Sequence, residues 1–204
     1  MTGSFAARRS AVAMFAAALS FLTLACARVA FADAEAGRQK AQVCVACHGS
    51  GGNSVNPAVP TLAGQPQQFV VTQLFMFREG KRKDAQMSPF AANLSNADLN
   101  DLAAYFSAQP HAPPSHVIAP EIAAAGRRIT EQNNCVACHA RTLMGQQHIP
   151  RLAGQQAEYL RTQLRGFKAS TRFDMDGNMT SAAQSLSDAD IDILADYLSG
   201  LGSP

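Results

Sequence analysis

Cys44-Val45-Ala46-Cys47-His48 recurs without change as Cys135-Val136-Ala137-Cys138-His139. Two cysteines three positions apart with a histidine directly after them form the attachment signature of a c-type haem. The chemistry explains the spacing. One turn of helix presents both thiols to the two vinyl groups of a haem, and the adjacent histidine then lies under the iron as its proximal ligand. A lone Cys-x-x-Cys pair also suits zinc or dithiol redox chemistry. Zinc would need further thiol or imidazole ligands, however, and neither half of the chain supplies a second cysteine pair. Two identical copies therefore predict two covalent haems, with Cys44, Cys47, Cys135 and Cys138 as the thioether positions and His48 and His139 on the irons.

The chain has 204 residues, 47% of them hydrophobic and 16% charged, which suits one medium domain or two small ones and argues against disorder. No basic stripe interleaved with aromatics occurs, so nucleic acid is excluded as a partner. Arg8 and Arg9 precede an uncharged apolar run from Ala11 to Ala25, and Ala30-Phe31-Ala32 fits a small-x-small cleavage site. Residues 1–32 thus read as an export signal, with a mature start at Asp33. The apolar run is short of the roughly 20 residues that a spanning helix needs. Cys26 follows Leu22-Thr23-Leu24-Ala25, a loose lipoprotein box, which keeps peripheral attachment to the inner membrane open. Removing residues 1–32 leaves 14 basic and 15 acidic side chains, so the formal charge of +2 belongs to the precursor. All four remaining cysteines are taken by haem, leaving none for a structural disulfide.

The rest of the chain repeats itself. Cys44 maps to Cys135 at an offset of 91, Pro60-Thr61-Leu62-Ala63-Gly64-Gln65 maps to Pro150-Arg151-Leu152-Ala153-Gly154-Gln155 at 90, and Leu94-Ser95-Asn96-Ala97-Asp98 maps to Leu186-Ser187-Asp188-Ala189-Asp190 at 92. This predicts an all-α chain of two tandem haem domains, residues 33–112 and 121–204, joined by a proline-rich linker at 113–120. Helices are expected over Ala34 to Cys47, Gln67 to Glu79, Ile122 to Cys138 and Ala157 to Lys168. Each half then ends in a helix whose start, Ser95 with Asp98 or Ser187 with Asp190, resembles a capping box. The buried stripes of these last helices are Leu99, Leu102, Ala103 and Phe106, and Ile191, Leu194, Ala195 and Leu198.

The opposite face of each iron separates a carrier from a binding or catalytic centre, because only an open sixth position admits a ligand. Met76 sits within a helical run and reads as core. Met87 lies seven residues before Leu94, and Met179 lies seven before Leu186, the counterpart of Leu94. That shared register selects Met87 and Met179, placed in loops, as the two ligands; Met144 and Met175 are the competitors in the second half. His111, His116 and His148 have no repeated counterparts and read as solvated or locally bonded. Pro60 and Pro150 follow their histidines by 12 and 11 residues, and each offers a carbonyl on a rigid φ to hold the other ring nitrogen.

In combination these motifs resemble the dihaem cytochrome c4 family across essentially all of the mature chain. The resemblance implies two class I cytochrome c domains packed about an approximate two-fold axis. It implies His48 and Met87 on the first iron and His139 and Met179 on the second. It also implies an electron-transfer protein rather than an enzyme, a periplasmic carrier taking electrons from a quinol-cytochrome c reductase-type donor to a terminal oxidase or reductase. The rivals are a haem subunit of a larger oxidoreductase complex and a dihaem peroxidase. Met87 is followed by Ser-Pro and Met179 by Thr-Ser, so the second loop departs from the first. Lys81-Arg82-Lys83 precedes Met87, whereas Asp174 and Asp176 precede Met179; positive charge favours the reduced state, which predicts the higher potential at the first haem.

Overall fold

The computed structural model describes residues 32–114 and 116–202, so Cys26 and all but the last residue of the expected export signal lie outside the described residues. Asp33 starts the first helix, α1 (Ala34–Lys40): its carboxylate accepts from the Glu35 and Ala36 amides, two of the donors a helix start leaves unpaired. The backbone then tightens into a 3-10 turn at Ala41–Val43 before α2 (Val45–His48). The single helix expected over Ala34 to Cys47 is therefore broken. The Cys44 amide bonds Ala41 O, and Cys44 packs on the cluster formed by Ala41, Leu102 and Phe106.

Beyond a glycine-rich turn come α3 (Gln67–Arg78), the short α4 (Met87–Ala91) and α5 (Asn96–Ser107). The second half repeats the order with α6 (Pro120–Gln132), α7 (Cys135–His139), α8 (Ala157–Lys168), α9 (Asn178–Ala183) and α10 (Asp188–Ser199). Here too the expected helix over Ile122 to Cys138 is interrupted. Asn134 takes a left-handed conformation (φ 52°), which asparagine tolerates better than most residues, and α7 begins afresh at Cys135. Pro120 occupies the first position of α6, where its missing N–H has no helical partner to lose. Both expected capping boxes form: Ser95 and Asp98 bond one another's backbone amides, as do Ser187 and Asp190. Among the described residues there is no strand, only an isolated antiparallel bridge between Gln146 and Ile149. No helix there is long and apolar enough to cross a membrane.

Each half closes where its first helix crosses its last. Gly37 of α1 lies against α5 so closely that a Cβ there would stand 2.0 Å from Asp101 O, and one on Gly126 of α6 would stand 2.3 Å from the Tyr197 ring of α10. Salt bridges from Lys40 to Asp98 (2.7 Å) and Asp101 (2.6 Å) reinforce the first crossing. The predicted stripes on α5 and α10 are buried throughout, in two clusters: a smaller one around Leu102 and Phe106 and a larger one around Ile129, Leu160, Ile191 and Leu198. Cys44 of the first haem-attachment segment packs on the smaller cluster and Val136 of the second on the larger.

Candidate haem centres

His48 and His139 are both buried, each about 4% exposed, although each belongs to a segment whose second cysteine is exposed. His48 Nδ1 lies 2.8 Å from Pro60 O and His139 Nδ1 lies 2.9 Å from Pro150 O. A carbonyl only accepts, so both Nδ1 atoms carry the proton and both Nε2 atoms keep a free lone pair. Burial pushes both imidazoles below their ordinary pKa, against the weaker opposing effect of the proline carbonyl, which holds them in the neutral form that can ligate a metal.

The proline segments are themselves fixed. In the first half the Leu62 and Ala63 amides donate to Gly52 O, and the Gly64 amide donates to Phe106 O on α5. In the second the Leu152 and Ala153 amides donate to Leu143 O, and the Gly154 amide donates to Leu198 O on α10. The repeated Pro-x-Leu-Ala-Gly thus anchors a carbonyl between a turn and the closing helix. No disulfide joins the four thiols, and burial raises the pKa of Cys44 and Cys135.

Met87 and Met179 lie in first turns of short helices rather than in loops, at the first position of α4 and the second of α9. A carboxylate caps each. Asp84 accepts from the Met87 amide at 2.8 Å and the Gln86 amide at 2.9 Å; Asp174 accepts from the Met179 amide at 2.8 Å and the Thr180 amide at 3.2 Å. Asp84 and Asp174 are counterparts, so Asp174 is not the asymmetric charge that sequence reading took it for. The second loop is two residues longer than the first and reaches the same end. Met76 is buried core, whereas Met175 is 57% exposed and lines a surface cleft with Val71, Phe75 and Leu99 of the first half. Met144 packs on the second core. His116 Nε2 reaches Asp196 O at 3.3 Å, His111 Nδ1 reaches Ala112 O at 3.3 Å, and His148 faces Asp176.

A symmetric seam joins the halves, and sequence reading missed it. Gln65 Oε1 accepts from the Arg151 amide and its Nε2 donates to Arg151 O, both at 3.0 Å. Gln155 does the same to Thr61, with 2.7 Å to its amide and 2.9 Å to its carbonyl. Farther along, Arg82 bonds Gln73 of its own half, and Gln163 and Tyr159 across the seam; Arg172 bonds Gln163 of its own half and Gln73 across the seam. Gln65/Gln155, Gln73/Gln163 and Arg82/Arg172 all share an offset of 90. Extending the repeat through α3 and α8 would have exposed them. Arg82, read from sequence as one of three charges that favour the reduced first haem, is part of this seam.

The seam also bears on whether these residues fit haem, which carries two carboxylates beside its iron. Arg172 Nε is buried without a hydrogen-bond partner. Burial, and then the neighbouring Arg82 charge, lower the Arg172 pKa to about 10. Tyr159 lies between the two guanidiniums; burial raises its pKa, but the two positive charges outweigh that and leave it lowered. Two half-buried guanidiniums that share Tyr159, Gln73 and Gln163, one of them with an orphaned buried N–H, call for an anion. Together with paired thiols and neutral buried imidazoles, this donor set fits haem in both halves.

The protein-family model for cytochrome c matches residues 34–109 and again 123–202. Cytochrome c4 of Pseudomonas aeruginosa is 40% identical over 179 residues, covering 83% of this chain and 89% of that one. A thiosulfate dehydrogenase electron acceptor of Thiomonas intermedia is 35% identical, covering 78% of each. The crystal structure of reduced recombinant cytochrome c4 from Pseudomonas stutzeri superposes with a TM-score of 0.77 at 35% identity, covering 83% of this chain and 98% of that one. The chain belongs to the dihaem cytochrome c4 family of electron-transfer cytochromes and carries two covalently attached c-type haems.

Proposed function

We propose that this chain is a periplasmic electron carrier whose two irons are both closed, the first by His48 and Met87 and the second by His139 and Met179. Bound haem supplies a one-electron Fe(III)/Fe(II) couple. The chain's residues set the terms of that couple. Cys44, Cys47, Cys135 and Cys138 hold the groups covalently, and Pro60 and Pro150 fix the histidine tautomers. Asp84 and Asp174 pin the backbone that presents the methionines. The observation that carries the reading is the equivalence of those two carboxylate caps. Different loops converge on the same bond to a methionine amide, at 2.8 Å in both halves. A core or surface methionine needs no such matched support.

Closed centres pass electrons without binding substrate, which favours a carrier over a peroxidase. Residues 1–32 act as the export leader, and the four thiols are modified after export. The electron donor is a quinol-oxidising respiratory complex, and the acceptor a terminal oxidase or another reductase. The thiosulfate dehydrogenase electron acceptor among the relatives supports a second donor class, a periplasmic dehydrogenase served by this chain as its haem partner. Carbon monoxide added to the reduced protein tests closure. No rapid binding is expected at either haem, and fast stoichiometric binding at one or both would overturn the reading. Copurification with a dehydrogenase at fixed stoichiometry would favour the second donor.

A further inference from the structure

Pro60 O and Thr61 N belong to one peptide group, and so do Pro150 O and Arg151 N. The first peptide accepts from His48 through its oxygen at 2.8 Å and donates to Gln155 Oε1 through its nitrogen at 2.7 Å. The second accepts from His139 at 2.9 Å and donates to Gln65 Oε1 at 3.0 Å. Each histidine of one half is thus connected, through a single peptide, to a glutamine of the other half. Both glutamines are almost fully buried, at 2% and 4% exposure, so water does not compete for these bonds.

We infer that Gln65 and Gln155 are positioning residues that tune the haem centre of the opposite half. An acceptor on a peptide N–H polarises the amide and makes its C=O a stronger acceptor, an effect that is larger where water is excluded. A stronger acceptor on Nδ1–H gives the imidazole more anionic character and makes Nε2 a better donor, which favours the oxidised iron. Gln155 therefore lowers the potential of the first haem, and Gln65 that of the second. The arrangement is crossed, and the crossing is what distinguishes tuning from simple packing. Because each glutamine is held only when the halves are docked, the docked state and both potentials are linked. This rests on His48 and His139 being the proximal ligands.

The test uses full-length holoprotein carrying Gln155→Met or Gln65→Met, which keep side-chain length and remove both polar atoms. Potentials of the two haems are resolved by NMR-monitored redox titration, and the ring Nδ1–H resonances of His48 and His139 are followed in the reduced state. Gln155→Met is expected to raise the first haem's potential and move the His48 resonance, with smaller changes in the second half. Gln65→Met is expected to do the reverse. Shifts confined to the substituted half, shifts equal in both, or no shift would overturn the inference. Should either methionine variant fail to fold, Gln155→Leu and Gln65→Leu remove the same polar atoms in a smaller apolar side chain. They must raise the potential of the opposite half's haem more than that of their own; the opposite order overturns the inference. The oxidised spectrum of each sample separates this from the ligand assignment. A methionine–iron(III) band in wild type with uncrossed shifts sinks only the tuning, whereas its absence from wild type sinks the axial-ligand reading.

Discussion

Replacing Gly37 with alanine puts a methyl group into the tight crossing of α1 and α5. Its Cβ would stand 2.0 Å from Asp101 O, 2.6 Å from Asp101 C and 2.8 Å from Tyr105 Cβ. The first two neighbours are backbone of α5, so no side-chain rotation relieves them; α1 and α5 must separate by more than 1 Å. Overpacking of this kind costs about 1–3 kcal/mol, and a backbone clash belongs at the upper end. Against it stands the better helix propensity of alanine, about 1 kcal/mol. The net expectation is a loss of about 2 kcal/mol. For a chain of this size that lowers the melting temperature by roughly 4–8 °C. The separation also strains the salt bridges of Lys40 to Asp98 and Asp101, which adds to the loss. Thermal melting of oxidised holoprotein by far-UV circular dichroism reads the effect. Gly126→Ala, whose Cβ meets the Tyr197 ring at 2.3 Å, should behave alike, with some relief because a side chain can shift. An unchanged or raised melting temperature for Gly37→Ala would refute the close crossing of α1 and α5.

Ala140 occupies φ 65°, ψ 159°, a region that only glycine enters freely, while its counterpart Gly49 has φ 79°, ψ 168°; Ala140→Gly should therefore stabilise the holoprotein by about 1 kcal/mol in chemical denaturation. The Lys40 side-chain bond first, then the Ser95 bonds, lower the Asp98 pKa to about 2 from 3.8. Its stabilising contribution is complete above pH about 4 and fades as pH falls toward 2; after solvent screening it is about 1 kcal/mol, and Lys40→Met should make that acid-side slope shallower in urea titrations, the Ser95 bonds keeping the remainder. Lys81 and Lys83 are exposed and lack basic counterparts in the second half, where Thr171 and Phe173 stand. Replacing both with glutamine should lower the first haem's potential at low salt, with the effect shrinking as ionic strength rises.

The elements most legible in the sequence were those fixed by short-range chemistry. Cys-x-x-Cys-His, the Ser/Asp caps, the apolar stripes of α5 and α10 and the prolines facing the histidines all rest on contacts within or between repeated motifs. Where reading failed, the cause was a competing local or long-range effect. A helical pattern from Ala34 to Cys47 says nothing of the 3-10 tightening that turns Cys44 onto Phe106. The Asn133-Asn134 pair is the local stop signal before α7, with Asn134 in the left-handed region. Lys81-Arg82-Lys83 looks like one basic cluster in sequence, yet the backbone sends Arg82 into the seam and its neighbours to solvent. Gln65 and Gln155 were visible as repeated letters, but their crossed partners lie 86 and 94 residues away, beyond any periodicity argument.

Closure of both irons by Met87 and Met179 is read in the visible spectrum of the oxidised protein. A methionine–iron(III) bond gives a weak far-red band. This band is expected at the strength of two such centres, cut by about half in Met87→Ala, cut by about half in Met179→Ala, and lost in the double variant. A band missing from the unaltered protein, or one that survives both substitutions, would contradict that closure.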